Sequence, residues 1–219
     1  RLESYGYRRP TSPNIAALSK RSVTFEAAQA QASQTAPSHA SLFVSEYGGA
    51  HGVINVHGGS SAMRGLPEGV KTLAELASEH GLETAAFVSG GNLTRGMQMN
   101  RGFGLWDERN EDISLRVKAA TNWMLAPGRK PFLLLMHSYQ VHAPYLPPRD
   151  FVDAFTEPSY QGPLRERTYR YLELSGAEAW KGAVGPDYWA GMLDYSPEDV
   201  HFLSDLYDAE IAYLDAALR

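Results

Sequence analysis

The sequence predicts an α/β fold in which a mostly parallel sheet is flanked by helices, and three observations support that class. Helical patterns alternate with short apolar runs along the chain, as in proteins built from parallel strands. Residues 131–137, PFLLLMH, form a continuously apolar run of the kind that is buried on both faces of a parallel sheet. A second apolar run, residues 84–88, ends directly in the turn residues Ser89, Gly90 and Gly91.

Local signals place the individual elements. Helices are indicated by apolar residues three or four positions apart, and strands by short apolar or β-branched runs. The predicted helices cover residues 14–21, 70–80 and 113–125, and the predicted strands cover residues 23–25, 84–88 and 131–137. A further helix is expected to begin after Ser196, because Pro197 and two acidic residues follow it in the pattern of a capped first turn.

The strand ends are where a site is expected, because α/β proteins bind ligands beyond the carboxyl ends of their strands. The three predicted strands lead towards Thr35, into Ser89 and into His137, respectively. The sequence therefore predicts that these three positions meet at one edge of the sheet.

Residues 149–195 differ from the rest of the chain, because they are rich in aromatic residues that show no clear periodicity. Two interpretations remain open for this segment. It is either a lid that shapes a substrate cleft or an irregular excursion packed by its own aromatic side chains.

The composition indicates a globular protein and argues against several classes. With 219 residues, 43% hydrophobic residues and a net charge of −5, the chain is long enough for a sizeable core. No basic run indicates a nucleic-acid partner, and the longest apolar run, residues 132–136, is far too short to span a bilayer. The absence of cysteine excludes disulfides, thiolate metal ligands and cysteine nucleophiles.

Thr35 is the first candidate for chemistry. It stands two residues before Pro37 and just before an apolar run, so we expect it to be the N-cap of a helix. Unpaired N–H groups and the helix dipole favour an anion at such a terminus. A hydroxyl placed there is suited to attack a sulfate or phosphate ester, although a purely structural cap has the same local pattern.

Several short motifs resemble, in type and in order, those of the sulfatase family within the alkaline phosphatase superfamily. They are SYGY at 4–7, TSPNI at 11–15, TAPSHASL at 35–42, HGV at 51–53, TLAE at 72–75, GF at 102–103 and HAPY at 142–145. The likeness runs to about Pro148 and returns in residues 206–218.

The resemblance also implies what the sequence lacks. Sulfatases usually begin with a strand that ends in an Asp-rich metal-binding segment, and a later strand ends in Asp-His-Gly; neither motif occurs here. We therefore expect residues 1–219 to be an internal part of a larger catalytic domain, with most metal ligands outside it and residues 149–195 as a lid or insert. The divalent metal expected from the resemblance, whether Ca, Mg, Mn or Zn, would then be held here by Thr35.

Two departures from the family pattern concern the nucleophile and its neighbour. Sulfatases use a formylglycine made from cysteine or serine two positions before a proline, and none of the 13 prolines here has either residue at that position. Thr35 stands there instead, so formylglycine is not expected, and threonine resembles the nucleophile of related phosphotransferases. His39 occupies the position where arylsulfatases typically carry arginine, and it is less reliably charged than arginine.

Five residues are candidates for the site, and the resemblance implies the roles of Thr35 and His142. His39 either faces the anion or acts through a neighbouring residue. Thr35 and His142 are the candidate catalytic residues, as nucleophile and general acid, and His39, His137 and Ser89 are candidate substrate-binding residues. For His142, His137 and Ser89, a loop histidine bonded to the backbone, a buried histidine that satisfies the backbone and a plain turn are the respective structural alternatives.

The sequence thus predicts a metal-dependent hydrolase of sulfate or phosphate esters. The alternatives are a phosphotransferase of the same superfamily and an inactive protein or fragment that binds anions. The expected partner is a small-molecule, glycan or lipid anionic ester, and the resemblance implies a periplasmic or extracellular location.

Overall fold

A computed structural model describes residues 1–54, 65–109, 112–174 and 194–219. These residues form two compact units: Ala27–Ser138, and a second unit that combines Arg1–Glu26 with Tyr139–Arg219. We call them the sheet unit and the helical unit. The predicted α/β class with a parallel sheet is confirmed.

The sheet unit contains three strands, β1 (Glu83–Val88), β2 (Leu105–Asp107) and β3 (Phe132–His137). Their order is β2-β1-β3, and both neighbouring pairs are parallel. Val88 lies opposite His137, so the carboxyl ends of β1 and β3 are level with each other. The predicted strands at 84–88 and 131–137 are therefore present and aligned.

Eight α-helices lie within the described residues. They are α1 (Pro13–Ser19), α2 (Thr35–Val44), α3 (Gly48–His51), α4 (Leu73–Glu79), α5 (Ile113–Met124), α6 (Arg149–Phe155), α7 (Pro163–Leu172) and α8 (Pro197–Ala217). No helix within the described ranges is both long and apolar enough to cross a membrane.

Alternation along β1 builds a core on each face of the sheet. Ala86 and Val88 pack in a cluster with the α2 residues Ala36, Ala40 and Phe43. The intervening residues, Ala85 and Phe87, pack with Ala120 and Trp123 of α5 on the opposite face. Helix α2 therefore packs on the face of the sheet formed by Ala86 and Val88, and Val88 is the last residue of β1.

Strand β3 is less buried than its apolar sequence predicts. Its residues are partly exposed throughout, and Phe132 keeps 38% of its surface accessible. The expectation of burial on both faces was wrong for the described residues, because β3 lies at the edge of the three strands that they form.

The helical unit is organised around α8, whose start was predicted correctly. Ser196 caps the helix, and the Asp199 side chain accepts a hydrogen bond from the Ser196 N–H in return. Phe202 and Leu206 of α8 pack with Val152 of α6 and with α7. The unit therefore has its own apolar core.

Three expectations about secondary structure were wrong. Residues 23–25 form no strand, and Val23 and Phe25 remain 82% and 71% exposed. The short strand β2 was not predicted. Residues 149–174 are largely helical rather than irregular, since α6 and α7 lie there, whereas 175–193 fall outside the described residues.

Candidate functional site

Four of the five predicted site residues lie in the sheet unit, at or near the carboxyl ends of its strands. His137 is the last residue of β3, and Ser89 follows β1. Thr35 begins α2, and His39 lies one turn further along the same helix. Because β1 and β3 end level with each other, Ser89 and His137 lie at one edge of the sheet, and His39 contacts His137 there. The strand predicted to lead towards Thr35, at 23–25, is absent.

Thr35 is the first residue of α2 and not its cap. Gln34 holds the cap position with an extended backbone and forms no side-chain cap hydrogen bond. The N-cap prediction was therefore wrong by one residue. Thr35 remains in the first turn, half-buried, where backbone N–H groups lack partners within the helix.

His39 links Thr35 to His137. Its Nδ1–H donates to the Thr35 carbonyl over 2.9 Å, which fixes the tautomer and makes Nε2 the acceptor nitrogen of the neutral ring. The His39 and His137 rings meet edge to face, with centroids 5.0 Å apart at an angle of 87°. Thr35, His39 and His137 thus form one contiguous group.

His137 is neutral at physiological pH. Burial and, to a smaller extent, the proximity of His39 lower the pKa of His137 from 6.5 to about 4. A neutral imidazole offers hydrogen bonding rather than positive charge.

Ser89 joins the ends of two strands. Its side chain is 5% exposed, and its hydroxyl lies 3.4 Å from the His137 carbonyl, to which it donates a long hydrogen bond. The chain then turns through Gly90 and Gly91, whose positive φ angles of 69° and 64° favour glycine. The contact supports a structural role for the Ser89 side chain, and its role in binding substrate stays a prediction.

Sequence reasoning did not identify Arg116 and Asp107, whose hydrogen bonds connect α5 with the carboxyl ends of β1 and β2. Arg116 of α5 is fully buried, and it donates to the Asp107 side chain over 3.0 Å and to the Val88 carbonyl over 3.3 Å. Hydrogen bonds from Arg109 and Arg116 hold the pKa of Asp107 well below its usual range. Asp107 is therefore ionised and engaged by arginine. The sequence signal was an Asp that follows an apolar pair, but its strand is only three residues long.

His51 also has a structural role. It is 2% exposed, its Nε2–H donates to the Ser41 hydroxyl over 2.9 Å, and its Nδ1 accepts from the Val53 N–H over 3.1 Å. Burial lowers the pKa of His51 and favours this neutral form. The pair fixes α3 and the following residues against α2.

His142, the fifth candidate, belongs to the helical unit. It is exposed, its backbone N–H donates to the Tyr139 carbonyl over 2.8 Å, and its Nδ1–H donates to the Ala143 carbonyl over 2.6 Å. The ring also meets that of Tyr139 edge to face at 5.4 Å. Because Nδ1 is engaged, Nε2 is the nitrogen suited to exchange a proton. The role of His142 as a general acid stays a prediction.

The described residues do not fit a complete metal site by themselves. No group of three or more His, Cys, Asp or Glu side chains within them is arranged to hold a metal ion. The Thr35 hydroxyl alone does not make such a site, because structural and catalytic metals take at least three protein ligands or several oxygen donors.

Comparison with models of protein families identifies one family. The family model described as Sulfatase matches residues 1–219. Among solved structures, the chain is similar to the crystal structure of a putative sulfatase from Bacteroides thetaiotaomicron VPI-5482, with a TM-score of 0.52 and 19% sequence identity. The alignment covers 99% of this chain and 52% of that one, so this chain spans about half the length of its structural relative. A search of curated proteins gave no match.

The structural likeness supports the α/β fold alone, because the identity is below a quarter. The family model covers every residue, including the segments around Thr35 and His142. The chain therefore belongs to the sulfatase family.

Proposed function

We propose that this protein is a sulfatase-family hydrolase of sulfate or phosphate esters and that Thr35 is its nucleophile. One observation carries the proposal: Thr35 lies in the first turn of α2, in the same group as His39 and His137. A hydroxyl in a helix's first turn meets an anion where N–H groups and the dipole stabilise negative charge.

In the proposed reaction, the Thr35 hydroxyl releases its proton to solvent as its oxygen forms a bond to the sulfur or phosphorus atom of the ester. The bond to the leaving oxygen breaks, and His142 supplies the proton that this oxygen takes up. Water then cleaves the covalent intermediate and restores the threonine hydroxyl. His39 and neutral His137 are the proposed residues that position the anion.

The proposed site favours phosphoryl over sulfuryl chemistry. Formylglycine, the usual sulfatase nucleophile, requires a cysteine or serine two positions before a proline, and this sequence has neither at such a position. An unmodified threonine is suited to form a phospho-enzyme. If the intermediate passes to an acceptor other than water, the protein is a phosphotransferase; if it never forms, the protein is an anion-binding pseudoenzyme.

We further propose that activity depends on a divalent metal, since sulfatases generally bind one. Thr35 is the proposed ligand of that metal among the described residues. Calcium, magnesium, manganese and zinc each remain candidates. The proposed substrate is a small-molecule, glycan or lipid anionic ester, met in the periplasm or outside the cell.

The decisive experiment replaces Thr35 in the protein expressed from its complete gene. We expect Thr35→Ala to lower turnover of paired aryl phosphate and sulfate esters by at least about 10³-fold, because the attacking oxygen is lost. Thr35→Ser, which keeps a hydroxyl, should retain measurable turnover. Stability should fall by less than about 1 kcal/mol, since Gln34 rather than Thr35 holds the cap position.

Ser38→Ala is the matched control, because Ser38 is a half-buried hydroxyl residue early in the same helix. It should leave turnover within about threefold of wild type. Wild-type turnover in Thr35→Ala would remove Thr35 as nucleophile. Full activity of the wild type after exhaustive chelation would remove the metal requirement.

A further inference from the structure

The loop that carries His142 is attached to α8 on both sides of the histidine. On one side, the Gln140 side-chain Nε2–H donates to Glu210 Oε2 over 2.7 Å. On the other, the Leu146 backbone N–H donates to Glu210 Oε1 over 2.7 Å. One carboxylate on α8 therefore bridges the two ends of a seven-residue segment, 140–146, that has His142 within it.

The bridging carboxylate is buried. Glu210 is 1% exposed, whereas His142 is exposed at the surface. A buried carboxylate is retained where its oxygens accept hydrogen bonds, and here each oxygen receives a donor from a different end of the loop. The carboxylate thus holds the Gln140 side chain and the Leu146 backbone at a fixed separation.

A second contact supports the same attachment. The Tyr145 ring, inside the loop, lies 5.2 Å from the Tyr207 ring on α8. Tyr207 precedes Glu210 by three positions, so both side chains project from the same face of α8. The loop is therefore anchored to one helix face by an aromatic contact and by two hydrogen bonds to a carboxylate.

The interactions of His142 itself are local. Its backbone N–H donates to the Tyr139 carbonyl and its ring Nδ1–H donates to the Ala143 carbonyl, and both carbonyls belong to the same turn. Such bonds fix the ring relative to the turn but do not fix the turn relative to the rest of the unit. That second task falls to the attachments at the ends of the loop.

We propose that Glu210 is a positioning residue for His142: it fixes the loop 140–146 so that the imidazole is presented in one orientation. This inference rests on the proposed function, in which His142 protonates the leaving oxygen. In this proposal Glu210 acts on His142 only through the loop and takes no part in the reaction itself. Its effect is transmitted through Gln140 and Leu146, and a small displacement of a catalytic group is enough to slow a reaction.

Helix α8 offers a matched control carboxylate. Asp215 is also 1% exposed, but its oxygens accept from the backbone N–H groups of Asn14 and Ile15 at the start of α1. Removing either carboxylate leaves buried donors unsatisfied. Only the change at position 210 acts on donors in the loop that carries His142.

The test compares Glu210→Ala, Glu210→Gln, Asp215→Asn and His142→Gln in the protein expressed from its complete gene. The first readout is amide hydrogen exchange, which does not depend on activity. In Glu210→Ala, exchange in residues 140–146 should accelerate at least about tenfold relative to wild type, because the Leu146 N–H loses its acceptor. In Asp215→Asn, the acceleration should be confined to α1.

The second readout is steady-state kinetics with an aryl phosphate ester. Glu210→Ala should lower kcat by about 10- to 100-fold with KM changed by no more than about threefold. Glu210→Gln should recover part of kcat, because its amide oxygen still accepts from Leu146, and it serves as the test variant if Glu210→Ala does not fold.

The outcomes separate the inference from the function on which it rests. If both Glu210 variants match Asp215→Asn in loop exchange and in kcat while His142→Gln is inactive, the positioning inference is overturned and the acid role stands. If His142→Gln retains wild-type kcat, the acid role and the inference are both overturned. The Thr35 proposal is then still judged by Thr35→Ala alone.

Discussion

The interior of the sheet unit and the interior of the helical unit are stabilised by different interactions. In the sheet unit, fully buried apolar side chains pack on both faces of β1, as Ala86 and Val88 do on one face. The helical unit has an apolar core as well, but α8 also buries several carboxylates. They are Asp199, Asp205, Asp208, Glu210 and Asp215.

Each buried carboxylate of α8 has a defined partner set. Asp208 is fully buried and accepts from Arg1 over 2.9 Å, from the Tyr7 hydroxyl over 2.6 Å and from Arg9 over 2.7 Å. An apolar core tolerates substitution by other apolar side chains of similar volume. A buried charge is stable only when its specific hydrogen-bond and ion-pair partners are present. The two units should therefore respond differently to substitutions that preserve volume.

The largest effect is expected in the helical unit. Asp208→Asn preserves volume but removes the charge that faces two arginines, so it should lower the free energy of unfolding by about 3 kcal/mol. Urea unfolding, with hydrogen exchange to assign the loss to α8 and residues 1–26, measures it. Glu79→Ala is the control, because its 2.8 Å ion pair with Lys71 is about half exposed and should contribute less than about 1 kcal/mol. Equal losses in the two variants would contradict the comparison.

A smaller effect is expected in the sheet unit from a substitution of the same kind. Leu93 is fully buried in the cluster that contains Ala86 and Val88. Leu93→Met preserves volume and polarity, so it should cost no more than about 1.5 kcal/mol in the same urea titration. A loss as large as that of Asp208→Asn would show that packing in this unit is as exacting as ion pairing in the other.

The smallest effect sharpens the comparison at His137 of the sheet unit, whose pKa is strongly lowered. The pKa of His137 is about 4 in the folded state against 6.5 in the unfolded state. Between these values the unfolded chain binds a proton that the folded chain does not, so stability is lost as pH falls from about 6.5 to about 4. His137→Gln should remove this slope, by about 1 kcal/mol across the range, because the ring is partly exposed.

Urea midpoints measured at pH 7.5, 5.5 and 4.5 test this prediction. The wild type should lose stability relative to His137→Gln as the pH falls, and the two should run parallel above pH 7. Parallel curves at every pH would show that His137 titrates normally in the folded protein.

Local signals account for the elements that could be predicted from sequence. The start of α8 follows from the Ser196 capping pattern, and β1 and β3 follow from their apolar runs. The predicted strand at 23–25 failed because β-branched and aromatic residues form a strand only when a neighbouring strand pairs with them. Strand β2 shows the opposite case. Its three residues are too few to give a recognisable sequence pattern, and it forms because it pairs with Ala85–Phe87.

The same distinction applies to the candidate site. The proximity of Thr35, His39, His137 and Ser89 could be predicted in outline, because helix starts and strand ends have sequence signals. The contacts of Arg116 and Glu210 could not be predicted, since they join residues 28 and 64 positions apart. A buried charge in a sequence does not reveal which distant backbone group it will meet.

The hydrogen bond from His39 to Thr35 has a mechanical consequence. The Thr35 carbonyl is also the regular α-helical acceptor for the backbone N–H four residues on, which is that of His39, so two donors of one residue converge on one oxygen. The imidazole cannot swing away from the entrance of the helix without losing one of these bonds. A ligand that displaces the His39 ring therefore also displaces the peptide group of Thr35, the proposed nucleophile.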